Sequence, residues 1–326
     1  MTTFFIAELK PIMPHIQLAP EAVFPHVGEA PLFNLLGQGF YITNTMIATW
    51  IAIAIILMIA WNLRKQLKAG SMVPTGISGA IAALLEGFYG MTESIAGKWT
   101  KKIFPWFATI FLLVLFVNLM ELVPFVDSIG YFHESDHGYA VEKVWGVNTI
   151  VQTESAMHEG EEAHQGGYSL VPFVRVASTD LNFTLSLALI AVAMTQYMGF
   201  KALGPAYLKK FFDFQGLFAA FKEPRFNPID VILGGARSLA GILEITAEIA
   251  KIVSFTFRLF GVIFAGSVLL FFVGSQVSGL GQSAVLLLEL LFGPLQALVF
   301  GLLTMIFMSM ATISHDYDHG HEEGHH

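Results

Sequence analysis

The chain reads as an all-α polytopic membrane protein with five membrane-embedded helices. Of its 326 residues, 55% are hydrophobic and only 13% charged. Mean hydropathy is +0.64, a balance suited to a bilayer rather than to a water-soluble domain. Runs with almost no charge, each long enough to cross about 30 Å of hydrocarbon, recur along the sequence. There is no cysteine, which excludes a disulfide framework and thiolate chemistry. The N-terminus lacks a basic region followed by a compact apolar core and small-residue cleavage site, so no signal peptide is expected and the first membrane helix should direct insertion.

The expected spans are about 41–63, 103–126, 178–200, 228–275 and 282–314. They form one membrane domain, 41–326, behind an extracytoplasmic segment, 1–40. The first run is uncharged, the second carries only Glu121, and the last carries only Glu289. Basic residues sort between the loops. Arg64, Lys65 and Lys68 follow the first span, Lys98, Lys101 and Lys102 precede the second, and Lys201, Lys209, Lys210, Lys222 and Arg225 follow the third. The loop 127–177 holds Lys143 and Arg175 against eight acids. The positive-inside rule therefore puts the N-terminus and this acidic loop outside and the C-terminus in the cytoplasm.

The stretch 75–97 is apolar enough to suggest a sixth span. Both its flanks are basic, and it carries Glu86 and Glu93 among several glycines. It is expected to be an interfacial or re-entrant helix on the cytoplasmic side. The basic, aromatic segment 205–226 is expected on the same surface.

From Pro228 to Ser275 the chain reads as one helix about 70 Å long. It must tilt strongly, bend or split to fit a bilayer. At about 100° per residue, Arg237, Glu244, Glu248, Lys251 and Arg258 fall within an arc of about 80°. Glu248 and Lys251 can neutralise each other locally at i,i+3 spacing. Arg258 has no acid within four residues on its own helix, and it cannot deprotonate. A mid-bilayer arginine costs roughly 2.5–3.5 kcal/mol on insertion scales. Such a residue points to an ion path or to a carboxylate from another helix or chain. On the last span Gln282, Glu289 and Gln296 share one side at seven-residue spacing, with Gly293 beside them. A carboxylate between two amides suits proton handling. Asn118 and Glu121 end the second span, and Asp180 and Asn182 open the third. These four would wet an outer vestibule.

Three blocks resemble the a-subunit family of rotary ATP synthases: NLMELVP at 118–124, DLNFTLSLAL at 180–189, and LEITAEIAKIVSFTFRLFGVIFAG at 243–266 followed by PLQALVFGLLTMIFMSMA at 294–311. The resemblance implies a stator channel whose fourth and fifth helices form a tilted hairpin against a rotor ring of c subunits. It implies that Arg258 faces the rotor carboxylates and that Gln296 packs near that arginine. It places Glu244 at the cytoplasmic outlet and Asn118, Glu121, Asp180 and Asn182 near the outer inlet, with lesser roles for Glu248, Lys251 and Ser254. Implied partners are the c-subunit ring, a b-subunit stalk, the soluble catalytic ATPase sector and the bilayer of a bacterial inner membrane. Neither a nucleic acid, a cofactor nor a metal is implied. The chain departs from the family pattern at Val262, where asparagine is usual, at Ser267, where glutamate or histidine is common, and at Glu289, where some members carry histidine. Acid–base function in the inlet is therefore expected to sit on Glu289, with Ser267 as a hydrogen-bonding or water-binding partner.

Other readings carry less. HEGEEAH at 158–164 does not match a helical zinc spacing, so the loop with His133, His137, His158 and His164 is expected to be a solvated acidic vestibule. The His-rich tail 315–326 is expected to be a cytoplasmic extension. The alternative function is a self-contained proton or cation antiporter, but no internal repeat supports it. No phosphate-binding glycine loop is present, so nucleotide chemistry is expected on other subunits and no catalytic site in this chain.

Overall fold

A computed structural model describes residues 20–24, 31–35, 38–70, 74–123, 126, 129–135, 140–144, 147–151, 167–211, 228–276 and 280–313. Six α-helices lie among them: α1 (Asn44–Lys68), α2 (Gly76–Ala96), α3 (Thr100–Leu119), α4 (Leu181–Leu203), α5 (Pro228–Gln276) and α6 (Leu280–Ala311). Five helical stretches are long and apolar enough to cross a membrane: Asn44–Lys68, Gly76–Leu122, Leu181–Leu203, Leu239–Leu270 and Gly281–Ala311. The expected all-α membrane class is found.

Local chemistry sets the helix ends. Thr43 caps α1, its hydroxyl accepting from the Met46 N–H at 3.4 Å, while Lys65 and Lys68 sit in the last turn where the helix dipole favours cations. Asp180 caps α4, its Oδ1 accepting from the Asn182 N–H at 2.8 Å. The expected long fourth element is one helix of 49 residues. It extends about 70 Å, more than twice the hydrocarbon thickness, so it cannot stand upright in a bilayer along its whole length.

The stretch Gly76–Leu122 is not straight. Gly97 takes φ +50°, a left-handed value open to glycine, and a 3-10 turn, Gly97–Trp99, follows. Phe88 and Phe107 then meet edge to face at 5.5 Å, and Tyr89 meets Phe104 at 5.1 Å. On a straight helix those pairs would lie about 28 and 22 Å apart. Thus the chain turns back after α2, and the C-terminal half of α2 packs against the N-terminal half of α3.

The chain divides into two compact units. The first comprises the described residues within Met1–Ala83, Thr109–Ser186 and Phe255–Phe300, the second those within Leu84–Ala108, Leu187–Ser254 and Gly301–His326. In the first unit, Ala48 and Ala52 of α1 are fully buried against Val117, Met120, Val176, Ala177 and Ile263. Small residues one turn apart let helix backbones approach, which drives association where no hydrophobic effect acts between helices.

Short antiparallel ribbons also belong to the first unit and were not expected. Strand β1 (Ala22–Phe24) pairs with β4 (Ile42–Thr43), and β2 (Phe33–Leu35) with β3 (Gln38–Phe40). Within the acidic loop, β5 (Gly130–Ser135) pairs with β8 (Gly167–Pro172), and β6 (Ala140–Val144) with β7 (Val147–Val151). A side chain at Gly130 would meet the Val171 carbonyl, so the closest approach of β5 to β8 needs a glycine. His137, His158, His164 and the tail 315–326 lie outside the described residues.

Candidate functional site

The first unit gathers polar groups from α1, α3, α5, α6 and the turn before α4. Asp180, 4% exposed, accepts from the Thr45 hydroxyl at 3.0 Å through Oδ2. Burial pushes its carboxyl above the ordinary 3.8, against the opposing pull of the Asn182 N–H, the Thr45 hydroxyl and the Arg175 charge. Asn182 contributes its backbone N–H and, more weakly, its exposed side chain to this carboxylate. Arg175 donates from Nε to the Thr179 hydroxyl at 3.1 Å.

Asn118 works in both directions. Its Oδ1 accepts from the Ser178 hydroxyl at 2.6 Å, and its Nδ2 donates to the Gly293 carbonyl at 3.1 Å. A Cβ on Gly293 would lie 3.4 Å from the Asn118 Cβ, an ordinary contact, so the two helices meet closely here without demanding glycine. The following residue, Pro294, lies inside α6. Lacking an N–H, it frees the carbonyl four residues before it, that of Leu290.

Two acids converge on adjacent positions of α5. The Ser267 hydroxyl bonds Glu121 Oε1 rather than the expected Glu289, which instead reaches the neighbouring position, where a Cβ placed on Gly266 would lie 3.2 Å from Glu289 Oε1. Both acids are buried within the chain, Glu121 at 9% exposure and Glu289 at 8%. Ser267 also reaches the Ile263 carbonyl at 3.1 Å. One hydroxyl has a single proton. It donates to Glu121 when that acid is ionised. When Glu121 is protonated, the acid can donate to Ser267 and the hydroxyl can turn to Ile263. The contact therefore persists in both protonation states, as a relay group requires.

Contacts between α5 and α6 fix their register. The Phe255 and Phe300 rings lie 5.0 Å apart, and Gly266 faces Glu289. In both contacts the two residue numbers have the same total, so the helices run antiparallel without slip. Equal rise along both then puts Arg258 level with Gln296 and Ala297. Arg258 is half-buried and Gln296 buried. The Gln296 Nε2 has no hydrogen-bond partner among the described residues. Gln282, expected on the same face as Glu289, is exposed.

The second unit holds the charged stripe of α5 as far as Lys251, with Arg258 in the first. Lys251 Nζ lies 2.7 Å from Glu248 Oε1 and 4.9 Å from the centre of the Phe307 ring. Glu244 is half-buried and Ser254 exposed, while the Arg237 side chain lies outside the described residues. Sequence reasoning missed Thr45, Ser178 and, in this second unit, Tyr207 with Gln196, joined by a 2.8 Å hydrogen bond. Ser178 had a visible signal, since it begins the polar run Ser178–Thr179–Asp180 beside an apolar span.

Comparison with known proteins agrees with this geometry. The family model described as ATP synthase A chain matches residues 46–309. The chain is 24% identical to ATP synthase subunit a of Moorella thermoacetica, over 95% of this chain and 100% of the relative. It is 25% identical to a Propionigenium modestum protein named ATP synthase subunit a, sodium ion specific, over 83% of this chain and 74% of that one. It is 28% identical to ATP synthase subunit a of Saccharophagus degradans, over 93% and 88%.

Proposed function

This chain belongs to the ATP synthase A chain family, and from that premise we propose that it is the proton-translocating stator that loads and unloads the carboxylates of a c-subunit ring. As a member it is a multi-pass, membrane-sector subunit of ATP synthase, which displaces the antiporter alternative. The observation that carries the finer reading is the convergence of Glu121 and Glu289 on Ser267 and Gly266, about two and a half turns of α5 beyond Arg258.

Protons enter from the outer side past Asp180, Asn182 and Asn118. Glu121 and Glu289 pass them on, with Ser267 holding Glu121 in either protonation state. The proton neutralises a rotor carboxylate, which then turns through lipid at far lower cost than a charge. After nearly a full turn it loses the proton into a cytoplasmic path at Glu244, with Glu248, Lys251 and Ser254 alongside. Arg258, level with Gln296, favours the ionised carboxylate between the two half-channels and blocks a direct leak. Each charge moved across the membrane field gains about 2.3 kcal/mol per 100 mV, the source of torque.

In this reading the protein sits in a bacterial inner membrane, N-terminus outside and C-terminus in the cytoplasm, with α2 against the cytoplasmic face. A b-subunit stalk holds it against the soluble catalytic sector. The transported ion is the proton, although one relative is named sodium ion specific. The test is Arg258→Ala in the assembled complex in vesicles. Proton-driven ATP synthesis should be abolished with assembly intact, and synthesis persisting in that variant would sink the account.

A further inference from the structure

We propose that the inlet opens through two threonine hydroxyls at the start of α1, Thr43 and Thr45, which hand a proton from the outer surface to Asp180. This rests on the stator reading above, in which Asp180 lies on the proton's way in, and adds two residues to it. Asp180 is 4% exposed, so water has little direct access to its carboxylate. A connected route reaches it instead. The half-buried Thr43 places its hydroxyl 3.1 Å from that of Thr45, and either oxygen can be the donor. Thr45, 3% exposed, donates to Asp180 Oδ2 at 3.0 Å. Both separations lie within the reach of proton transfer, about 2.6–3.2 Å.

The two threonines meet because of where α1 begins. Side chains two positions apart on a helix do not face each other. Thr43, however, is the N-cap, with extended backbone at φ −94° and ψ 157°, and its side chain turns back over the first turn. Its oxygen accepts from the Met46 N–H at 3.4 Å, which leaves a second lone pair and its own proton for the relay. Strand β1 braces this corner. Ala22 stands opposite Thr43, the Glu21 carbonyl accepts from the Asn44 N–H at 3.1 Å, and the Glu21 N–H donates to Asn44 Oδ1 at 3.3 Å. The Tyr131 hydroxyl of the acidic loop ties down the Ala22 carbonyl at 2.8 Å.

A proton reaching the Thr43 oxygen releases the proton already there to Thr45, and Thr45 releases its own to the ionised Asp180. One O–H bond forms and one breaks at each hydroxyl, and the carboxylate ends as the acid. Both hydroxyls then rotate back before the next passage. The charge that acts on Asp180 is that of Arg175. Among the other elements, α1 has no charged residue before Arg64 and α4 none before Lys201. Glu121 of α3 and Glu289 of α6 meet α5, and Glu21 joins Asn44 through its main chain.

The test uses the whole complex in vesicles at a fixed potential, with the initial rate of ATP synthesis followed against the proton concentration at the outer face. Thr43→Asn keeps an acceptor for the Met46 N–H, since asparagine caps at least as well as threonine, but has no hydroxyl to pass a proton. It should need about ten-fold more outer protons for half its maximal rate, the worth of one hydrogen bond to a charged group, with the maximum retained. Thr43→Ser, which keeps cap and hydroxyl, should recover most of that shift. Thr45→Val should shift the same way. Loss of its bond alone favours the protonated carboxyl and would move the curve oppositely, to fewer protons. A wild-type curve in Thr43→Asn, an equal shift in Thr43→Ser, or a lowered maximum without a shift would overturn the proposal. If Thr43→Asn does not assemble, Thr45→Val carries the test, and no shift or a shift to fewer protons there is the contradicting result. Coupled synthesis surviving in Arg258→Ala would instead defeat the stator reading itself.

Discussion

The two units solve the problem of polar groups in a membrane protein in different ways. In the first, the groups are mostly small and neutral and come from several elements far apart in sequence: Thr45 on Asp180, Ser178 on Asn118, Asn118 on Gly293 and Ser267 on Glu121. In the second, full charges sit on one helix and neutralise locally, as Lys251 does with Glu248 at 2.7 Å. The lattice depends on tertiary structure and the stripe on helical periodicity. Mutations should therefore propagate in the first region and stay local in the second.

Asn118→Leu should break the contrast most severely. It removes the partner of the Ser178 hydroxyl and the donor to the Gly293 carbonyl. Each buried group left unsatisfied costs about 1–3 kcal/mol. Thermal unfolding of the complex should fall, and proton-driven synthesis should drop at least about ten-fold, since about 1.4 kcal/mol is a factor of ten. Next in size is Ala48→Leu, at a fully buried position packed among Val117, Val176 and Ile263. Overpacking there should cost roughly 1–3 kcal/mol, read as a lowered melting temperature.

Asp180 offers a test by pH. Its folded carboxyl sits above the ordinary 3.8, so the fold prefers the protonated form. That preference is fully present below 3.8 and is lost as pH rises through the folded value. Asp180→Asn should flatten this part of the stability profile. Thr45→Val, which removes a bond that favours the ionised form, should move the loss to higher pH. Melting curves from pH about 4 to 7 would show either shift. The smallest effect belongs to the stripe. Lys251→Met should change stability by no more than about 1 kcal/mol, because the pair is partly exposed and local. A loss as large as that in Asn118→Leu would erase the distinction between the two regions.

The same contrast decides what was legible in the sequence. Helical periodicity put Glu248, Lys251 and Arg258 on one face, and the pairing of the first two follows from spacing alone. Apolar length gave the five membrane-capable helices. The reversal after α2 was less open to reading, since it turns on one positive-φ glycine, Gly97, among several. Thr45 stayed hidden because its partner is 135 positions away, and a threonine in an apolar run usually bonds its own backbone. Tyr207 was hidden for a related reason. Its placement depends on two glycines, Gly199 and Gly204, whose roles appear only once the chain turns back. The ribbons β5–β8 and β6–β7 were missed because charge dominated the reading of that loop.

The central claim is that protons reach the rotor through the acids that meet α5 at Gly266 and Ser267. The most direct measurement is proton flux through the membrane sector alone, stripped of its soluble ATPase and held in vesicles under an imposed potential. Glu289→Gln keeps the size and burial of the side chain and removes its titration. The account predicts that this change abolishes flux while the sector remains assembled. Wild-type flux in Glu289→Gln would contradict it and move the inlet elsewhere.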